Sequence, residues 1–339
     1  MHMRRRWDLF CRVIDNYGDV GVAWRLARDL ASRDEVVRLW LDDASALEWM
    51  APDHEGVGTG VEVLPWDHVP ETIGDVVVEL FGCDPPDAIL QRMASRRDQP
   101  EGPPRWINLE YLSAEAYVER SHGLPSPQFS GPAAGLTKHF FYPGFTEKTG
   151  GLLREPGLFE LPAALPPGVE RRGGERIVSL FAYPRADVQK LVQLLADVPT
   201  LVLACPAKFE RPASLPAHVR WQALPYLPQA DYDALLRACD LNFVRGEDSF
   251  VRAQWAGKPF VWQIYFQDDH AHAAKLEAFL ARYQPDEATA ALFRAWNELA
   301  DWPRELPPLD AGHALRWRAQ LAAQPDLTTQ LLGFLASSS

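Results

Sequence analysis

The sequence predicts an α/β protein of two successive domains, each a mostly parallel sheet covered by helices, and three observations carry that reading. Short runs of Val, Ile, Leu and aromatic residues alternate with stretches whose apolar residues recur at helical spacing. The alternation begins near Trp7, lapses between 123 and 174, and restarts at Arg176. The length of 339 residues, with 47% hydrophobic and 24% charged, suits two cores of about 150 residues each. The lapse is rich in Pro, Gly and Leu (LPSPQFSGPAAG, FELPAALPPGVERRGGE), and its end, about 165–174, reads as the linker. The expected domains are therefore 1–170 and 175–312.

In the first domain, 7–14 reads as a strand and 20–31 (VGVAWRLARDLA) as a helix, which leaves Asp15-Asn16-Tyr17-Gly18-Asp19 as the first βα loop. GDVG supplies two glycines of a dinucleotide fingerprint and lacks the third. Two carboxylates stand where a pyrophosphate would lie, so a dinucleotide site is rejected here and NAD-dependent oxidoreduction is disfavoured. An Asx turn with a helix N-cap explains one of the two acids. Both together are better explained by a cation between them, because neighbouring carboxylates repel. Asp15 and Asp19 are thus candidates for a base and its orienter acting on a cationic acceptor. Strands follow at 36–41, 75–81 (DVVVELF) and 106–109 (WINL), with helices at 44–50, 86–95 and 113–119. Glu110 and Tyr111 follow a strand end and are candidates for the same crevice, although packing is the simpler account of the tyrosine. The cluster at 138–145 (KHFFYPGF) is explained first by burial under the loop and second by an interface with another protein.

The second domain repeats the pattern. Strands are expected at 176–181 (RIVSLF), 200–204, 219–222, 241–244 and 258–263 (KPFVWQ), where Pro259 sits near a strand start that tolerates a missing N–H. Helices are expected at 186–196 and 231–238, after the RGEDS turn, from Ala271, from Asp286, and from about Gly312 to the end. Arg245-Gly246-Glu247-Asp248-Ser249 falls where a strand ends and a helix begins. Asp248 or Ser249 can cap that helix, Gly246 allows a tight turn, and the first-turn N–H groups make a phosphate site. Arg245 and Arg252 carry guanidinium forks that match a diphosphate, and Glu247 suits sugar hydroxyls better than a bare anion. On these five residues alone, a capped helix with a surface ion pair is the favoured account. Phe181 and Tyr183 follow a strand, while Tyr226 and Gln229 precede a helix and suit a nucleobase face and edge. Asp268, Asp269, His270 and His272 contain metal-ligating residue types, but their spacing fits no standard metal motif, so a helix N-terminus with solvated charge is expected and no metal.

A formal net charge of −12 argues against nucleic-acid binding through a general basic surface, and against anionic membranes. The N-terminal MHMRRRWDLF is too short and polar for a signal-peptide core, and no stretch approaches membrane-spanning length, which predicts a cytoplasmic protein. The four cysteines, Cys11, Cys83, Cys205 and Cys239, are scattered and suit buried thiols.

Two long stretches, FCRVIDNYGDVGVAWRLARDLA at 10–31 and DLNFVRGEDSFVRAQWAGKPFVWQIYFQDDHAH at 240–272, make the chain resemble the EarP family, bacterial protein-arginine rhamnosyltransferases that modify elongation factor P. The likeness runs over nearly the whole chain. It implies the GT-B glycosyltransferase fold, two facing Rossmann-like domains with the active site between them, and a C-terminal helix, about 313–339, that returns to the first domain. It implies dTDP-β-L-rhamnose as donor substrate, no cofactor, and inverting transfer to an arginine of elongation factor P. By the same resemblance Asp19 is the general base and Asp15 a second essential acid. The donor site comprises Phe181, Tyr183, Tyr226, Gln229, Arg245, Glu247, Asp248 and Ser249. At Tyr226 the family is expected more often to carry Phe, which keeps the ring face. The competing readings are another GT-B nucleotide-sugar enzyme, such as a small-molecule glycosyltransferase or an epimerase, and a non-catalytic nucleotide-sugar-binding regulator.

Overall fold

Runs dominated by Val, Leu and Ile, buried on both faces, form the central strands of two parallel sheets in a computed structural model that describes residues 4–15, 17–56, 58–266 and 271–337. The chain divides into two units, residues 1–156 with 324–339, and 157–323.

The first unit contains β1 (Arg6–Cys11), α1 (Gly18–Ser32), β2 (Val36–Leu41), α2 (Leu47–Met50), β3 (Val61–Pro65), β4 (Val76–Leu80), α3 (Asp87–Ser95), β5 (Arg105–Leu109), α4 (Ala116–Ser121), β6 (Pro125–Pro127) and β7 (Thr137–Phe141). Its sheet has the order β3-β2-β1-β4-β5-β7-β6, parallel except for β6. Trp7, Leu9 and Cys11 lie on one face with Val20, Ala23 and Leu26 of α1, and Phe10 packs on the other beside Trp40. That split is the period-2 alternation of a central strand.

The second unit contains β8 (Arg176–Leu180), α5 (Val188–Leu194), β9 (Thr200–Ala204), β10 (Val219–Ala223), α6 (Gln229–Ala238), β11 (Leu241–Arg245), α7 (Asp248–Ala256), β12 (Phe260–Gln263), α8 (Ala271–Tyr283), α9 (Glu287–Trp296) and α10 (Ala311–Ala322). Its sheet is wholly parallel in the order β10-β9-β8-β11-β12. Both sheets therefore reverse their strand order once near the centre, at β1/β4 and at β8/β11. In an open α/β sheet that is where a crevice opens beyond the carboxyl ends of the strands.

Three features differ from the expectations. The cluster KHFFYPGF contributes a strand, β7, that pairs with β5 and brings Lys138 Nζ to 2.5 Å from the carboxylate of Glu79, which has no exposure. Neutralising a buried carboxylate justifies lysine in that aromatic run. The division between units falls at 156/157, ahead of 165–174, because Leu165 and Val169 already pack on the core of the second unit. The terminal segment is two helices and not one. Helix α10 stays with the second unit, where Trp317 Nε1 donates to Gln254 Oε1 at 2.8 Å. Helix α11 (Leu327–Ser337) places Leu327, Leu331 and Leu335 in the core of the first unit. Asp326, just before it, accepts from Arg33 Nη2 of the α1 C-cap at 2.7 Å.

Candidate active site

In the second unit the β8/β11 reversal gathers most of the residues singled out in the sequence. Strand β11 ends at Arg245, and Gly246 turns the backbone through φ +62, a left-handed conformation that glycine adopts without Cβ strain. Helix α7 then begins at Asp248 with Glu247 at the N-cap, whose side chain makes no capping hydrogen bond. Ser249, one of the two residues expected to cap it, turns back instead: its hydroxyl accepts from Arg245 N at 3.2 Å and donates to Arg245 O. The turn is thereby locked by its own serine at the N-terminus of α7. Such a terminus carries partial positive charge suited to phosphate. Glu247 and Asp248 are half-buried.

Arg245 is 9% exposed, with its Cζ 4.4 Å over the Phe181 ring and 4.4 Å over the Tyr183 ring. Both rings come from the segment after β8, whose backbone is held by Phe181 N donating to Phe243 O at 2.9 Å and Tyr183 N donating to Gln263 Oε1 at 2.8 Å. Gln229 opens α6, and Tyr226, just before it, is 47% exposed. Arg252 is not in this group. It is buried on α7 and bonded in a fork to Asp233 of α6, Nε to Oδ1 at 3.0 Å and Nη2 to Oδ2 at 2.6 Å. Its charge is used to seat α6 on α7, which removes it from the expected diphosphate site.

In the first unit the β1/β4 reversal holds the acidic loop. Asp19, in the first turn of α1, is 3% exposed. Its Oδ2 accepts from Ile14 N at 2.8 Å and Asp15 N at 2.9 Å. Oδ1 makes no hydrogen bond among the described residues, so one carboxylate oxygen alone clamps the loop. Burial pushes the Asp19 carboxyl above its usual range, the two backbone bonds pull it back, and the charges of Asp15 and Asp42 raise it again. Asp15 is half-buried, and a Cβ at Gly18 would stand 3.0 Å from its Oδ2, which accounts for glycine at the start of α1. Asp42, beyond β2, accepts from Val13 N at 2.8 Å and fixes the loop from the other side.

The neighbouring strand ends complete this edge. After β4, Phe81, Gly82 and Asp84 have φ of +59, +63 and +46, a left-handed run that two non-glycine residues adopt only under constraint. Tyr111 supplies part of it by stacking on Phe81 at 4.3 Å. Asn108 supplies more, accepting from Gly82 N at 3.2 Å while its Nδ2 donates to Glu110 Oε1 at 2.9 Å. Beside Glu110, Tyr142 meets Tyr117 edge-on at 5.7 Å, and burial with the Glu110 charge pushes its hydroxyl up to about 12.

The family profile described as "Elongation-Factor P (EF-P) rhamnosyltransferase EarP" matches residues 7–336. The chain belongs to the EarP family. It is 44% identical to the protein-arginine rhamnosyltransferase of Pseudomonas putida, over 99% of this chain and 100% of that protein. To the Pseudomonas aeruginosa protein of the same description it is 42% identical, over 97% of this chain and 98% of that one. Among solved structures, one described as "Structural basis for EarP-mediated arginine glycosylation of translation elongation factor EF-P" aligns with a TM-score of 0.61 at 32% identity, covering 99% of this chain and 100% of the other. Spinosyn forosaminyltransferase SpnP, at 14% identity and TM-score 0.57 over 99% of each chain, shares the fold alone. The chain is thus a glycosyltransferase of the GT-B fold.

Within the EarP-family chain, the structure groups Phe181, Tyr183, Arg245, Glu247, Asp248 and Ser249 at one strand-order reversal, and Asp15 with Asp19 at the other. The sequence reading missed Asp42, Asn108 and Gln263, which hold these loops from neighbouring strands. Asp42 and Gln263 stand at or just beyond the carboxyl end of a predicted strand, a position that could have flagged them. Asp268, Asp269 and His270 lie outside the described residues; His272 is buried with its ring 4.7 Å from Phe266. Among the described residues no group of three or more His, Cys, Asp or Glu is arranged to hold a metal ion.

Proposed function

We propose that this enzyme transfers L-rhamnose from dTDP-β-L-rhamnose to an arginine side chain of elongation factor P, with inversion at the anomeric carbon. Membership of the EarP family over 7–336 gives the reaction class. The observation that carries the acceptor assignment is the pairing of Asp15 and Asp19 on one loop, with Oδ2 of Asp19 alone serving the loop clamp. A hydroxyl acceptor needs one base, whereas a guanidinium presents a fork that two carboxylates satisfy.

A guanidinium has a pKa above about 12, so a free neutral guanidine is costly at neutral pH. One carboxylate orients the fork while the other takes a proton as nitrogen attacks. The N–C1 bond forms as the C1–O bond to dTDP breaks, the electron pair goes to the diphosphate oxygen, and the proton goes to Asp19. Burial makes Asp19 a stronger base than an exposed aspartate, which suits that step. The leaving diphosphate gains negative charge, which Arg245 and the N-terminus of α7 stabilise. Tyr226 and Gln229 hold the thymine, and Glu247 takes donor hydroxyls. The donor is a substrate, and the scheme uses no cofactor.

Incubation of the purified enzyme with dTDP-rhamnose and elongation factor P, followed by intact-mass measurement and fragmentation, tests the proposal. One deoxyhexose on one arginine is the expected product. An unmodified acceptor, or sugar on another residue type, rejects it.

A further inference from the structure

Aromatic rings at a nucleotide-sugar site are ordinarily assigned to the base, and Phe181 and Tyr183 invite that assignment. Their surroundings point elsewhere. The guanidinium carbon of Arg245 lies within 4.4 Å of both ring centroids, so each ring gives a face to the cation. Phe181 also meets Tyr232 edge-on at 6.1 Å, and Tyr183 meets Tyr265 edge-on at 5.6 Å. The guanidinium is largely withdrawn from solvent, where attraction between a cation and a ring face is strongest.

We infer that Phe181 and Tyr183 are positioning residues for Arg245, and that they act on the donor diphosphate through it without stacking on the nucleobase. An arginine side chain has several rotatable bonds and loses considerable entropy when fixed. Two rings that hold its planar group in one place remove that cost before the ligand arrives, and preorganised charge is what a developing anion requires. The device is supported in turn: Gln263, at the end of β12, holds Tyr183 N, and the Ser249 hydroxyl bridges the backbone N–H and carbonyl of Arg245 itself. Base recognition is then left to the exposed ring of Tyr226 and to Gln229.

The inference rests on the proposed donor site, and a double-mutant cycle in dTDP binding separates the two. Kd for dTDP is measured for wild type, Tyr183→Leu, Arg245→Ala and the double variant, by calorimetry or by competition where binding is weak, with Tyr183→Phe as the conservative control. If the wild type does not bind dTDP, the donor assignment fails. If it binds, ring loss should weaken binding about 3- to 10-fold with Arg245 present, by less than about 2-fold once Arg245 is alanine, and Tyr183→Phe should restore the wild-type value. Equal fold-losses in both backgrounds, which independent base stacking would give, overturn the positioning role. Circular dichroism melting of each variant guards against misfolding. Should Tyr183→Leu not fold, the same cycle with Phe181→Leu applies, with Phe181→Tyr as its control.

Discussion

Replacing Asp19 separates chemistry from scaffolding, because its two oxygens do different work. Oδ2 accepts two backbone N–H bonds from Ile14 and Asp15, and a hydrogen bond to a charged acceptor contributes about 1.5–3 kcal/mol. Asp19→Ala removes both from a part-buried loop, so a loss of about 3 kcal/mol is expected, roughly 6–12 °C in Tm for a unit of this size. Asp19→Asn keeps a carbonyl oxygen with two lone pairs, able to accept both bonds, and removes a charge that burial disfavours. Its stability should stay within about 1 kcal/mol of wild type. Neither variant can accept a proton, so both should lose turnover by roughly 100-fold or more while dTDP affinity stays nearly unchanged. Single-turnover transfer to elongation factor P, read by intact mass, with calorimetry for dTDP and melting for stability, makes the comparison. If Asp19→Asn transferred sugar at more than a tenth of the wild-type rate while Asp19→Ala was inert, Asp19 would be a loop clamp and the base would lie elsewhere.

Four further outcomes are expected. Turnover should fall on acidification with an apparent pKa above the ordinary aspartate range, because Asp19 must be ionised to act and burial holds its carboxyl high; in Asp19→Asn that acid limb should vanish from the pH profile. Arg252→Met should cost about 3–5 kcal/mol in denaturant unfolding by stranding buried Asp233, whereas Kd for dTDP at a temperature where the variant is folded should change less than about 3-fold; a large affinity loss would return Arg252 to the diphosphate. Glu247→Ala should weaken binding of the nucleotide-sugar more than of dTDP, as competition experiments would register, and parallel losses would move Glu247 off the sugar. Leu331→Ala, at a position with no exposure, should cost about 2–5 kcal/mol, and an unchanged unfolding midpoint would mean that α11 adds nothing to its unit.

Much of the fold was legible because its signals are local. Strands β2 and β9 fall at the expected residues, since short runs of Val and Leu between polar boundaries admit little else. Strand β3 escaped notice because its side chains are mostly half-exposed, and β7 because aromatic residues in a Pro- and Gly-rich region resemble loop packing. The break between α10 and α11 was likewise hidden: 323–326 carries one proline in a sequence of otherwise good helix formers.

The two loops were readable as places where something charged happens, since a strand followed by DNYGD or RGEDS leaves acids and a glycine where no core can use them. What each side chain does there depended on partners far away in the chain. Arg252 shares a helix with the RGEDS turn and looks like a phosphate ligand until α6 brings Asp233 against it. Phe181 and Tyr183 read only as rings that follow a strand until the order β8-β11 sets Arg245 across their faces. The sequence by itself determined which residue types stand at which strand ends, because strand, turn and helix preferences act between near neighbours. Only the tertiary structure decided which charge is already neutralised and which carboxylate oxygen is already bonded to the backbone, because desolvation and pairing depend on what the sheet order carries into contact.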